Sequence, residues 1–205
     1  MADLINLFKG TKPLILIGGI SGSGKTTVGN ALLTNLKLNH SIGTGWIRQI
    51  LATQVKKDNY PELFTHSFRP ITNVTPFENF TRGSKSLAPA VEACLKRAKS
   101  EGTSLIVEGV YLMPGIIEDN LYDYFFILES KRNIKDYKKM VLGNSHQKRK
   151  ITDLDIQSSL EIEIELINLC KKTNTPTIPS MALDKRIEMI TKLMAKNIQE
   201  TSNGN

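Results

Sequence analysis

One short segment limits what this chain can fold into more than anything else in it. Gly19-Ile20-Ser21-Gly22-Ser23-Gly24-Lys25-Thr26 matches the spacing Gly-x-x-x-x-Gly-Lys-Ser/Thr in full, directly after the apolar run Leu14-Ile15-Leu16-Ile17. A strand that delivers such a turn to the start of a helix makes an anion cradle. Gly22 and Gly24 let the backbone bend so that successive amides converge on phosphate oxygens, and the following helix adds the positive end of its dipole. Lys25 then reaches the β- and γ-phosphates of a nucleoside triphosphate, and the Thr26 hydroxyl can coordinate the magnesium that bridges them. Gly19, Ser21, Gly22, Ser23, Gly24, Lys25, Thr26 and Thr27 are therefore the expected ligands of ATP, with Mg2+ as its companion.

The rest of the chain fits an α/β class with a parallel sheet flanked by helices, a P-loop NTPase fold. A helix from near Gly24 carries Val28, Leu32 and Leu36 inward; a short strand surrounds Ser41-Ile42. Gly43-Thr44-Gly45 leads into a helix through Trp46, Ile47, Ile50 and Leu51, and Asp58 to Thr75 reads as an irregular, proline-punctuated connection. Val91, Cys94, Leu95 and Ala98 predict a helix from about Ser86 to Ser100, followed by strands at Leu105-Ile106-Val107 and Tyr124 to Leu128 and a helix from Asn133 to Leu142. Asp153 to Lys171 is ambiguous: Leu160 to Leu166 alternates like a strand, while Ile156, Leu160, Ile164 and Ile167 fit a helix face. Its lack of Gly and Pro and its glutamates favour helix. A short strand at Thr177-Ile178 precedes a last helix capped by Asp184, with Ile187, Ile190, Met194 and Ile198 inward and a frayed tail over 201–205. At 205 residues the whole reads as one domain.

Composition narrows the partners. Lys and Arg number 27 against 20 Asp and Glu, a formal net charge of +7 that favours anionic ligands. The basic residues are dispersed or concentrated after residue 130, without interleaved aromatics, which argues against nucleic acid. Cys94 and Cys170 read as reduced buried thiols, and His40, His66 and His146 show no metal-ligand spacing. The N-terminus lacks a signal peptide pattern and no apolar run reaches bilayer length, so a cytoplasmic location without membrane contact is expected.

Strand three ends in Glu108, which places a carboxylate at the sheet edge where ligands bind in such folds. It could hold magnesium through water or accept a proton from an attacking hydroxyl. Neither the Asn-Lys-x-Asp and Asp-x-x-Gly patterns of regulatory GTPases nor the Leu-Ser-Gly-Gly-Gln transporter signature is present. What remains is a compact nucleoside-monophosphate-kinase-like enzyme with a helical lid.

Gly18 to Thr27, Ser41-Ile42-Gly43-Thr44, Ile47-Arg48 and Ile106-Val107-Glu108-Gly109-Val110-Tyr111-Leu112-Met113-Pro114-Gly115 together resemble the archaeal 2-phosphoglycerate-kinase-like P-loop kinases, over about residues 14–128. The resemblance implies ATP-dependent phosphorylation of a small phosphorylated carboxylate. Two departures fall where an acceptor would sit: Gly45 replaces the family's usual acid, and Tyr111 stands where histidine is frequent. The family's 2-phosphoglycerate kinases usually carry an extra N-terminal region, whereas about a dozen residues precede the first strand here. Mevalonate-3-phosphate 5-kinase, similar to this family and compact, makes mevalonate 3-phosphate in an archaeal mevalonate pathway the first expectation for the acceptor, with 2-phosphoglycerate, yielding 2,3-bisphosphoglycerate, as the alternative.

Such an acceptor needs fixed cations, and arginine's planar fork suits carboxylate and phosphate best. Within an acceptor region spanning 44–85, Arg48, Arg69 and Arg82 are the candidates, joined by Thr44 and Tyr111, with Trp46, Phe64 and Phe77 as possible lining. The interval 131–152, with Lys131-Arg132 and His146 to Lys150, is the expected lid; Arg132 or Arg149 would close on the phosphates, Arg149 in a catalytic role beside Lys25 and Glu108.

Overall fold

The computed structural model describes residues 8, 10–69, 71, 73–131, 133–141 and 151–203, apart from the side chains of 140, 141 and 198–203. Strand β1 (Leu14–Gly18) is buried along its whole length, as its unbroken aliphatic run demands. It pairs in parallel with β3 (Leu105–Glu108) on one side and β4 (Tyr124–Leu128) on the other, while β2 (His40–Gly43) and β5 (Thr177–Ile178) flank these, giving the order β2-β3-β1-β4-β5. The chain leaves β1 toward β2 and later returns to lay β4 on the opposite side. The crevice outside the carboxyl end of β1 is thus a topological switch point, the place where open α/β sheets bind ligands.

Alternate residues of the central strands supply two core layers. Ile15, Ile17, Ile106, Phe126 and Leu128 meet Val28 and Leu32 of α1 (Lys25–Asn35) and Ile187, Ile190 and Met194 of α6 (Leu183–Asn203). Leu14, Leu16, Leu105, Val107, Phe125 and Ile127 pack on the other face. There they meet α3 (Pro76–Ser100) through Phe80, Leu87, Val91 and Leu95, and α5 (Asp153–Thr173) through Ile156, Ile162 and Leu166. The remaining helices are α2 (Thr44–Ala52) and α4 (Ile134–Val141).

Several boundaries and faces differ from expectation. Helix α3 starts ten residues before the expected Ser86, because Thr75 and Glu78 form a reciprocal capping box behind Pro76 at the first helical position. Pro89 is tolerated in its interior on an exposed face, where water can take the carbonyl that it leaves free. The α5 segment is helical, but its buried stripe runs through Ile156, Ile162, Glu163, Leu166 and Cys170; Ile164, expected inward, is 59% exposed. Trp46 and Ile50 of α2 likewise face solvent. The connection from Asp58 to Thr75 contains a 3-10 turn at Pro61–Phe64. Asp184 lies in the first turn of α6 rather than capping it, and the helix continues to Asn203 in place of the frayed tail. Ile198's side chain lies outside what is described. Cys94 is only half-buried; Cys170 is buried, and both are free thiols.

Candidate active site

Glycines shape the turn after β1 through left-handed backbone. Gly19, Gly22 and Gly24 have φ of 133°, 81° and 90°. A Cβ on Gly19 would stand 2.5 Å from the Leu128 carbonyl oxygen, so the loop's approach to β4 requires glycine. Gly24 caps α1 and leaves the helix's first amides facing the crevice.

Three carbonyls of this loop are held by side chains. The Lys25 ammonium donates to the Ile20 carbonyl at 2.6 Å, the Tyr137 hydroxyl of α4 to the Ser21 carbonyl at 2.8 Å, and Arg186 Nη1 of α6 to the Ser23 carbonyl at 2.6 Å. Burial pushes the Lys25 ammonium down to about 8, opposed by the charges of Glu108 and Glu163. Arg186 is buried and spends its remaining donors on the carbonyls of Pro179 (2.9 Å) and Glu129 (2.6 Å), joining the ends of β4 and β5 to the loop. The buried Glu163 carboxylate accepts from the backbone and hydroxyl of Ser130.

Strand register brings Glu108 level with Ile17 of β1 and Gly43 of β2, so its carboxylate reaches the loop from the neighbouring strand. The Thr26 hydroxyl donates to Glu108 Oε1 at 3.0 Å. This pair offers hard oxygen ligands alone, a donor set suited to Mg2+.

The loop and Glu108 open into a cleft of about 990 Å3. Ser21 through Thr27, Glu108, Thr44, Arg48 and Tyr111 line it together, as does Trp46, which is 74% exposed. Gly19 lies at the base of the loop and not among the lining residues. The Thr44 hydroxyl is committed to the Val110 carbonyl at 2.6 Å, and Gly109 is pressed against Thr44 so closely that a Cβ would collide with it. Arg48 Nη1 donates to the carbonyls of Thr65 (2.6 Å) and Leu63 (3.3 Å). Tyr111 combines three unusual features: φ of 74°, 6% exposure, and a hydroxyl without a hydrogen-bond partner. Burial pushes its phenol up; the Arg48 charge opposes this and the Glu62 charge adds to it. Its ring packs 5.6 Å from that of Phe80 and over Gly83, whose missing side chain makes room for it.

Two expected acceptor arginines lie elsewhere. Arg69 pairs with Asp155 at the start of α5, 3.8 Å away, and Arg82 is exposed on α3 close to Glu78; neither lines the cleft. Phe77 stacks on Phe80 at the core's edge, and Phe64 is 40% exposed. Lys131 does line the cleft, but Arg132 and Arg149 lie outside the described residues, as do the rest of 142–150 in the expected lid, His146 among them. No cluster that could hold a metal through His, Cys, Asp and Glu alone occurs among the described residues, and none of their helices is long and apolar enough to cross a membrane. The sequence reading missed Tyr137 and, among the residues that line the cleft, Arg186, the His66–Phe68 stack and Ser180-Met181. None carries a local motif; their roles arise from tertiary contact alone.

No protein-family model matches the sequence. Curated relatives do: a 2-phosphoglycerate kinase of Thermococcus kodakarensis is 23% identical over 200 residues, covering 91% of this chain and 67% of the relative. One of Pyrococcus horikoshii is 27% identical over 200 residues, covering 92% and 65%. Over about nine tenths of its length the chain is thus similar to archaeal 2-phosphoglycerate kinases. It spans about two thirds of the length of these relatives. Among solved structures, a shikimate kinase from Acinetobacter baumannii superposes with a TM-score of 0.59 at 15% identity, covering 94% of this chain and 98% of that one. A gluconokinase from Sinorhizobium meliloti gives 0.58 at 16%, covering 93% and 97%. The fold is that of P-loop kinases. These relatives take their name from 2-phosphoglycerate, the alternative acceptor, and not from mevalonate 3-phosphate.

Proposed function

We propose that this chain is a magnesium- and ATP-dependent kinase that phosphorylates the hydroxyl of a small acceptor already bearing a carboxylate and a phosphate, 2-phosphoglycerate first. The observation that carries the reading is the Thr26–Glu108 pair, 3.0 Å apart, set beside a glycine-shaped phosphate loop in the same cleft as Arg48 and Tyr111. In it, the loop amides and Lys25 hold the triphosphate, and Thr26 and Glu108 are the residues that would hold Mg2+. Bound Mg2+ supplies charge neutralisation at the β- and γ-phosphates. Glu108 also stands where it can take the proton of the acceptor hydroxyl. Arg48 and Tyr111 seat the acceptor's anionic groups, while Thr44, its hydroxyl already engaged, shapes the wall. Lys131 lines the cleft, and Arg132 or Arg149 is the lid arginine expected to act on the phosphates. Catalysis in such a site is positioning and electrostatics.

The test is an ADP-release screen with 2-phosphoglycerate and mevalonate 3-phosphate, with glycerate and mevalonate as unphosphorylated controls. Release with 2-phosphoglycerate is expected. Release with mevalonate 3-phosphate alone would reassign the acceptor, and release with the controls alone would overturn the cationic pocket. A Lys25→Ala protein turning over at the wild-type rate would overturn the kinase reading altogether.

A further inference from the structure

The phosphate loop is gripped by two residues that belong to neither strand β1 nor helix α1, one of which, Arg186, also lines the cleft. Tyr137 sits on α4 with its ring 1% exposed and its hydroxyl on the Ser21 carbonyl; Arg186 sits at the start of α6, 6% exposed, with Nη1 on the Ser23 carbonyl. No cis peptide occurs among the described residues. In a trans peptide the N–H points opposite to the C=O of the same plane. Fixing the Ser21 and Ser23 carbonyls toward the protein therefore turns the amides of Gly22 and Gly24 away from it, and both glycines line the cleft. Glycine is the residue whose peptide plane is freest to rotate, so these two planes are the ones an unrestrained loop would misorient.

Building on the reading of this loop as a triphosphate cradle, we infer that Tyr137 and Arg186 are positioning residues that preorganise it. They hold the Gly22 and Gly24 amides in their phosphate-facing orientation before nucleotide arrives. Each is tied elsewhere to something rigid. The Tyr137 ring is embedded in the core beside α5, and Arg186 spends its other two contacts on the carbonyls ending β4 and β5. The guanidinium bonds three carbonyls in one plane, a geometry that lysine's single ammonium does not reproduce. A donor set fixed in advance avoids reorganisation when charge arrives, the physical source of tight anion binding.

The variants are Tyr137→Phe, which removes a single hydroxyl and keeps the packed ring, and Arg186→Lys, which keeps the charge. The probes are ATP, inorganic tripolyphosphate and adenosine, titrated calorimetrically well below each protein's melting temperature. Tyr137→Phe is expected to weaken ATP and tripolyphosphate by the same factor, about three- to ten-fold. Adenosine affinity should stay unchanged. Arg186→Lys is expected to do the same more strongly. A merely structural role would lower the melting temperature and leave the tripolyphosphate affinity of the folded protein intact, and that result for Tyr137→Phe overturns the inference even if Arg186→Lys fails to fold. Equal losses for adenosine and tripolyphosphate overturn it as well. Wild-type protein that binds no tripolyphosphate overturns the cradle reading itself, an outcome distinct from wild-type binding that Tyr137→Phe leaves untouched.

Discussion

Replacing Tyr111 with phenylalanine removes one oxygen and leaves the ring on Phe80 and Gly83. The hydroxyl lost is buried without a partner. A buried polar group with no hydrogen bond costs about 1–3 kcal/mol on mutational scales. Because the cleft is open on one side, the lower end applies, and Tyr111→Phe should stabilise the unliganded protein by about 1 kcal/mol, or roughly 2–4 °C in melting temperature for a chain of this size. The function should move the other way. If the phenol donates to an anionic acceptor oxygen, its loss removes a charge-assisted bond of about 1.5–3 kcal/mol, roughly ten- to a hundred-fold in acceptor KM. The assays are thermal melts of the unliganded protein and steady-state ADP release with acceptor varied at saturating ATP. A variant that melts lower, or that keeps the wild-type acceptor KM, refutes the argument that this hydroxyl is held in reserve for a ligand.

Gly83→Ala should be harmful although alanine favours helices, because its Cβ would collide with the Tyr111 ring. The forced ring movement should cost about 1–3 kcal/mol in a chemical melt and raise acceptor KM while ATP KM stays put. Glu108→Gln keeps the shape beside Thr26 but loses the carboxylate charge and base; kcat should fall at least about 100-fold, with magnesium-free ATP binding nearly unchanged by calorimetry. For Lys25 the folded-state value of about 8 lies below the ordinary 10.5, so between them the unfolded chain holds a proton that the native chain has released. Stability should therefore rise with pH across that window and flatten in Lys25→Met, as urea melts would show. ATP affinity of the wild type should fall over the same range, with a midpoint above 8 because the bound triphosphate favours the ammonium.

Much of this architecture is written locally. The three apolar runs that became β1, β3 and β4 are continuous and short, and the phosphate loop declares itself by glycine spacing. Helix α3 was harder to read because its first turns carry Pro76 and Gly83. One is a helix starter, while the other is permitted by an aromatic ring arriving from Tyr111, 28 positions later in the sequence. The inward face of α5 was misread because Ile162 and Ile164 are equally apolar, and only packing against α3 selects the first. Charge was the least legible property. Arg69 and Arg82 look like anion ligands in a one-dimensional string, yet one is committed to Asp155 and the other points outward, while the arginine built into the loop's support, Arg186, sits in a helix start that carries no motif.

The two halves of the cleft differ in how far their polar groups are satisfied, and the difference has an energetic direction. On the phosphate side, Lys25, Tyr137 and Arg186 each meet a carbonyl at 2.6–2.8 Å, and the carboxylate of Glu108 takes the Thr26 hydroxyl. On the side proposed for the acceptor, the Tyr111 hydroxyl has no partner, Tyr111 itself holds a left-handed φ that a bulky residue adopts at a cost of about 1–3 kcal/mol, and Arg48 rests on neutral carbonyls. Neutral carbonyls are weaker partners for a guanidinium than a carboxylate or phosphate would be. An anion entering beside Arg48 would thus be a stronger partner than the Leu63 and Thr65 carbonyls. Nucleotide has less to satisfy, because its cradle is already assembled. Acceptor binding should accordingly release stored cost, whereas nucleotide binding chiefly adds charge to a frame that is set.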